Sequence, residues 1–255
     1  MNIVTLLKHV YDENQLKIEP SKGDVDFAGV PGKISTFDRN AIEAALRLKQ
    51  QHGGSVTALT IGSEESIKSI REGLAMGVDK AILIKTNSHM QFDALALGNI
   101  IAKALEKIQA WDLLLCAEGS TDTYTSLLPG ILASKLKLPL ITYARSLKID
   151  GKYLTGDRSL ERKTVTVQVE LPAIVSVVSE INEPRIPTLL QILAASKKEV
   201  LVYTLEDLGL SQLEQKYKTI QLSGKAKERK KIVLEGSLHD SVARLVDALV
   251  KEGLV

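Results

Sequence analysis

The sequence predicts an α/β fold: a doubly wound, mostly parallel sheet with antiparallel additions and an extended C-terminal arm. Three observations carry this prediction. From Asn2 to Leu136 apolar strand-length runs alternate with helix-length amphipathic segments, the rhythm of a parallel sheet covered on both faces. After Pro139 the helices stop and short strands follow, joined by a turn at Asp150-Gly151. The stretch Asn182-Glu183-Pro184-Arg185-Ile186-Pro187 then leaves the apolar run Ala173 to Val178 with two prolines, which cannot donate to a ladder. A nucleotide-binding α/β domain is expected over 1–184 and an arm over 185–255.

Asn2 to Leu7 reads as the first strand. Asp38 suits the N-cap of a helix whose Ile42, Ala45 and Leu46, widened by Ala41 and Leu48, make one apolar stripe. Gly53-Gly54 stops it. Val56 to Ile61 is the next strand, and Gly62-Ser63 turns into a helix over Glu64 to Met76 that ends at Gly77. Ala81 to Ile84 is a strand, Phe92 to Ile108 a helix and Trp111 to Ala117 a strand. Leu127 to Leu136 is helical, with Pro129 near its start, where proline is tolerated. Leu140 to Ile149, Tyr153 to Leu154, Lys163 to Glu170 and Ala173 to Val178 are read as antiparallel strands, with Gly156 to Arg162 a polar connection. A short helix is expected over Leu189 to Ala195, then an irregular region, with no periodicity from Thr204 to Glu235. The last helix, Ser237 to Lys251, is capped by Ser237, with Val242, Leu245, Val246 and Leu249 facing inward.

A hydrophobic fraction of 44% and a mean hydropathy of +0.04 suit a globular chain with a sizeable core. The formal charge of +2 does not point to nucleic acid, and the basic run from Lys225 to Lys231 reads as a solvated loop. The single cysteine, Cys116, excludes an internal disulfide, and its apolar strand marks it as a core thiol. His9, His52, His89 and His239 are scattered, so no metal site is signalled. The first residues enter a strand with no Arg-rich presequence, and no run approaches 18 apolar residues. The expected location is the cytoplasm, without membrane insertion.

In an open α/β sheet, ligands lie beyond the carboxyl ends of the parallel strands. Four loops qualify: Lys8 to Asp12, Ser35-Thr36-Phe37-Asp38, Gly62-Ser63, and Gly119-Ser120-Thr121-Asp122-Thr123-Tyr124-Thr125-Ser126. In the fourth, five hydroxyls surround Asp122 before a helix. They suit a phosphate, with Asp122 accepting from loop amides or a ribose hydroxyl; they equally suit a capped surface loop with no ligand. Walker and glycine-rich dinucleotide motifs are absent, and no nucleophile, base or carboxylate pair stands out. That combination describes a binder or carrier whose cofactor supplies the chemistry.

The chain resembles the β subunit of electron transfer flavoproteins over nearly its whole length. The resemblance rests on "FDRNAIEAALRLK" (Phe37 to Lys49), "REGLAMGVDKAILI" (Arg71 to Ile84), "LPAIVSVVSEINEPR" (Leu171 to Arg185) and "LLKHVYD" (Leu6 to Asp12). It implies an adenine nucleotide α-hydrolase-like fold and a heterodimer with an α subunit. FAD is then held mainly by that partner, and Phe37 approaches the flavin ring. A second nucleotide sits within this chain: AMP in ordinary carriers, a second FAD in the electron-bifurcating branch, which also uses NADH. Matching positions for it are Leu6, Ser35 to Phe37, Ile61 and the loop from Gly119 to Leu127; Lys8, Asp38 and Ser63 join them from the loops above.

The resemblance further implies that electrons arrive from dehydrogenases and leave to a quinone- or ferredoxin-linked acceptor. Leu189, flanked by Ile186 and Ile192, is the matching dehydrogenase anchor. Two departures stand out. A Gln-Thr-Gly-Gln or Gln-Val-Gly-Pro signature is replaced by Ser126-Leu127-Leu128-Pro129, losing the glycine that allows close backbone approach. An acidic-glycine turn is replaced by Ser159 to Lys163. The first departure leaves the second nucleotide open between AMP, FAD and none. A stand-alone nucleotide-binding module without flavin is the competing reading.

Overall fold

The computed structural model describes residues 1–19, 22–86, 92–108, 110–210, 213–217, 219–224 and 231–254. The basic run at 225–230 and His89 lie outside them. Two compact units emerge: Met1–Lys17 with Asp26–Leu222, and Ile18–Val25 with Ser223–Val255.

The first unit is built on one nine-stranded sheet. Its strands are β1 (Asn2–Leu6), β2 (Ser55–Gly62), β3 (Lys80–Lys85), β4 (Leu113–Ala117), β5 (Leu140–Asp150), β6 (Tyr153–Leu160), β7 (Lys163–Glu170), β8 (Ala173–Val177) and β9 (Val200–Tyr203). They lie in the order β7–β6–β5–β8–β4–β1–β2–β3–β9. The β5–β6 and β6–β7 pairings are antiparallel, and every other pairing is parallel.

Alternation along β1 shows why its run is apolar throughout: Ile3 and Val4 point to opposite faces, and both faces are covered. Helices α1 (Thr36–His52) and α2 (Ile67–Met76) bury Ile42, Ile70 and Leu74 with Ile3 on one face. On the other, α3 (Ala94–Glu106) and α4 (Leu128–Leu136) bury Ile100 and Leu132 with Val4. The chain steps from β1 to β2 to β3, and α3 then returns it to β4 on the far side of β1. The order of winding reverses between β1 and β4, which opens a crevice at their carboxyl ends.

In the first unit, several readings of the sequence need correction. Ser35, not Asp38, occupies the N-cap of α1; Asp38 lies inside the first turn, and its carboxylate accepts from the Lys8 N–H at 2.7 Å instead. Strand β8 runs parallel to β4 and β5, so only β6 and β7 form the antiparallel addition. The polar stretch after Leu154 is strand, because Asp157 accepts from Ser146 and Thr166 across it, each at 2.7 Å. The irregular region after the short helix contains β9, whose Val200–Tyr203 pairs with Ala81–Ile84 of β3.

The proline-bearing exit is held by polar clasps on α1. Asn40 Nδ2 donates to the carbonyls of Ser179 and Asn182, and Asn182 Nδ2 donates back to the Asn40 carbonyl. Arg185 Nε meets Glu43 Oε2 at 2.6 Å, with Arg47 on the other oxygen at 2.7 Å; the Glu43 side chain is only 4% exposed. Burial opposes ionisation of Glu43, but hydrogen bonds from Arg185 and Arg47 outweigh it and hold the carboxyl below its usual range.

Beyond the exit, α5 (Leu189–Ala195) starts with a capping box formed by Thr188 and Gln191. Arg71 of α2 donates to the carbonyls of Ala195 and Lys198 at its far end. Lys198 Nζ in turn donates to the Leu74 and Val78 carbonyls at the end of α2. Each helix end is thus capped by a cation from the other segment.

In the second unit, Gly224 N–H donates to the Gly23 carbonyl at 2.8 Å, and Asp24 bridges Ser223. Helix α6 (Leu238–Lys251) is capped by the Ser237 hydroxyl, as the sequence suggests. Its apolar residues do not face inward: Val242 is 51% exposed and Leu245 46%, and no residue of the helix is buried. No helix among the described residues is long and apolar enough to cross a membrane.

Replacing Arg185 with alanine should lower unfolding stability by about 2–3 kcal/mol, read from urea midpoints near neutral pH. Because the folded carboxyl of Glu43 lies below its ordinary 4.5, this contribution is present above that value and lost as pH falls through the folded one. The gap between variant and parent should therefore narrow in acid.

Candidate functional site

A cleft opens at the reversal between β1 and β4. It holds a cavity of about 140 Å³ that opens to solvent. Strand ends supply Leu6, Leu59, Ile61 and Cys116; α3 adds Ala94, Leu97 and Ile101; α4 adds Leu128 and Pro129. The polar side is made by Lys8, Asp38, Glu118 and the loop residues Gly119, Ser120, Thr123, Thr125 and Ser126. Of the residues expected from the sequence, Leu6, Lys8, Asp38, Ile61 and these five loop residues are thus brought together.

A ribbon pairing His9–Tyr11 with Gly32–Ile34 lays the start of α1 beside Lys8. Ser35 N–H donates to the Lys8 carbonyl at 3.0 Å. The Ser35 hydroxyl makes no helix cap and accepts from the Thr121 N–H at 3.3 Å, which ties the fourth loop to α1. Lys8 Nζ meets Asp122 at 2.7 Å and lies 3.4 Å from the Ser120 hydroxyl, which itself donates to Asp122 at 2.5 Å. Burial opposes ionisation of Asp122, yet the Lys8 ammonium holds its carboxyl below the usual range.

Six expected residues stand outside the lining. Ser35 and Asp122 act on it through Thr121 and Lys8, as above. Thr36 lies on the first turn of α1, and Ser63 precedes a short turn at Glu64–Ser66. Leu127 occupies the N-cap position of α4 and is 54% exposed. Phe37 stacks instead on Tyr124, ring centroids 5.3 Å apart and tilted by 53°.

Several wall residues were not legible in the sequence. Ala94, Leu97 and Ile101 carry a helical apolar spacing that a core would equally use. Cys116 and Glu118 flank the chosen loop at the end of β4, which was the available signal. Burial pushes the Cys116 thiol far up, so it is no thiolate. Glu118 is raised by burial against the opposing Tyr124 phenol, with Glu180 adding to the rise. Asp38 is buried, and desolvation pushes its carboxyl up to about 7 despite the Lys8 N–H and the Lys8 charge.

The residues present fit a nucleotide. Apolar walls suit a base, and four hydroxyls border the cleft. Lys8 is the single cation of the lining among the described residues, and Asp122 already engages it. Pro129 brings no N–H to the first turn of α4, and Leu128 forms wall where a glycine would leave space. A phosphate therefore meets hydroxyls rather than an unengaged cation.

Comparison with known proteins gives the class. The electron transfer flavoprotein domain matches residues 23–208. An electron transfer flavoprotein subunit beta from Thermoanaerobacterium thermosaccharolyticum is 32% identical, covering 98% of each chain. The chain belongs to the electron transfer flavoprotein β-subunit family, and an electron-transfer role follows from that membership.

For Asp38, a folded value near 7 against an ordinary 3.8 means the folded state keeps a proton that the unfolded chain has lost. Stability should fall as pH rises between those values. In Asp38→Asn, urea midpoints at about pH 5 and about pH 8 should lack this fall, which in the parent amounts to on the order of 2 kcal/mol.

Proposed function

We propose that this chain is the electron-carrier subunit of a heterodimer with an electron transfer flavoprotein α subunit, working in the cytoplasm. FAD is held chiefly by that partner, and AMP occupies the cleft of this chain. When bound, the flavin supplies reversible electron uptake; this chain supplies a wall, a nucleotide seat and docking surfaces. The observation that carries the reading is the cleft at the β1/β4 reversal, in a chain of this family. Electron transfer asks for proximity rather than proton-transfer groups.

In this reading Phe37 faces the flavin. Leu6, Ile61 and the apolar residues of α3 enclose the base, and the hydroxyls of Ser120, Thr123, Thr125 and Ser126 receive the phosphate. AMP is favoured over a second FAD because one engaged cation and a wall of Leu128 and Pro129 suit a single phosphate better than two. The exposed apolar face of α6 supports a partner subunit, and a stand-alone module leaves that face unexplained.

The same reading assigns α5 to dehydrogenase docking. Leu189 is 71% exposed and Ile192 53%, on a helix fixed at its other end by Arg71, and Ile186, 91% exposed, precedes that helix. A leucine projecting from a pre-ordered helix fills a partner's pocket at little ordering cost.

Co-expression with an α subunit, followed by acid release and chromatography, should yield one FAD and one AMP per heterodimer. Two FAD would replace this reading with the bifurcating one, and a colourless preparation whose chains stay apart would reject both. Leu189→Ala should slow flavin reduction by a dehydrogenase roughly tenfold or more, the scale of a hot-spot truncation, with flavin content unchanged. Equal rates would remove Leu189 from the docking role.

A further inference from the structure

The loop after β4 has two faces. Gly119, Ser120, Thr123, Thr125 and Ser126 line the cleft, but Tyr124 between them does not; its ring meets Phe37. Tyr124 and Ser126 hold left-handed backbone, φ 41° and 54°, a region that non-glycine residues enter only when their surroundings impose it. Here the surroundings are specific. Tyr124 N–H donates to the Ser120 carbonyl at 3.0 Å. Its ring lies so close over Gly119 that a Cβ there would come within 2.7 Å of it. Its phenol faces the Glu118 carboxylate. Although so constrained, Tyr124 is 49% exposed.

A continuous set of contacts joins this ring to the cleft. Lys8 lines the cleft and grips Asp122; Asp122 accepts from Ser120 and from the Thr123 N–H at 2.9 Å; Ser120 carries the turn that sets Tyr124; Tyr124 stacks on Phe37. An anionic ligand in the cleft competes with Asp122 for Lys8 and recruits the hydroxyls of Thr123 and Thr125, on either side of Tyr124. Both effects act on the short stretch whose backbone already stands in a sparsely populated conformation.

We infer that Tyr124 is a positioning residue that reports occupancy of the cleft to Phe37, so that a nucleotide bound by this chain adjusts the aromatic face offered to a planar heteroaromatic ring carried by the partner subunit. This rests on the function proposed above and makes the second nucleotide a modulator of the redox ring's surroundings. The ligand can act in this way only through a different affinity for the two loop arrangements. The engagement of Lys8 by Asp122 provides that difference, since an anion favours the arrangement in which Lys8 is released toward it.

The test uses the heterodimer stripped of its cleft nucleotide by dialysis and reloaded with AMP, as parent, Tyr124→Phe and Tyr124→Gly. Phenylalanine keeps the ring; glycine accepts left-handed backbone without one. Visible circular dichroism and the reduction midpoint of the flavin are read with and without AMP, and AMP binding is measured by calorimetry. Parent and Tyr124→Phe should change both flavin readouts when AMP is added. Tyr124→Gly should bind AMP yet lose most of the response. A parent flavin indifferent to AMP that demonstrably binds, or a glycine variant responding as fully as the parent, would overturn the inference. A heterodimer whose cleft takes up no AMP overturns the underlying reading, and the inference with it.

Discussion

The structure turns on the clasp between α1 and the segment that follows β8. Asn40 and Asn182 exchange amide hydrogen bonds, and Glu43 is enclosed between Arg185 and Arg47. A buried carboxylate without these partners would carry a large desolvation cost, so the geometry around it is strongly specified. The same helix presents Phe37 and Asp38 at its first turn, while the clasped segment leads directly into α5. One set of polar contacts thereby fixes both the flank of the cleft and the root of the leucine-bearing helix. The exit is stiff and polar because it is fastened to a helix at one end and presents apolar side chains at the other.

Much of the fold was legible because its signals are local. Apolar runs on β1, β2, β3 and β4, helix-spaced stripes and the glycines at Gly53 and Gly77 each mark their element through one physical cause. What failed was non-local. Strand direction for β8 depends on a connection through β6 and β7 that periodicity does not encode. Residues Asp157 to Leu160 look like a loop until Ser146 and Thr166 satisfy Asp157 across neighbouring strands. The four residues of β9 are a strand because β3 offers an edge. Ser35 shows the same limit at the site: the sequence points to Asp38 as the cap, yet Ser35 takes the N-cap position, and its hydroxyl serves Thr121.

For the candidate site, the rule that ligands gather beyond parallel strand ends picks out four loops, of which the first, second and fourth bring Lys8, Asp38 and Gly119 to the cleft while Ser63 of the third stands outside. It could not supply the walls. Leu97 and Ile101 are chemically indistinguishable from core residues until α3 is placed, and the engagement of Lys8 by Asp122 spans a sequence separation no pattern reveals. The motifs that carry the family resemblance now have physical content. Arg71 caps α5, Asp79 accepts from Lys49 and the Val56 N–H, and Asn40 and Glu43 hold the exit. Those segments largely encode the clasps.

On the function proposed above, this chain completes a flavin site and an interface only with a second subunit. Amide hydrogen exchange, followed by mass spectrometry on the chain alone and in the FAD-loaded heterodimer, tests it most directly. Pairing should slow exchange in α6 and at the backbone around Phe37 and Tyr124, while α5 stays as it is in the free chain. Equal exchange with and without the partner at α6 and around Phe37 would contradict it.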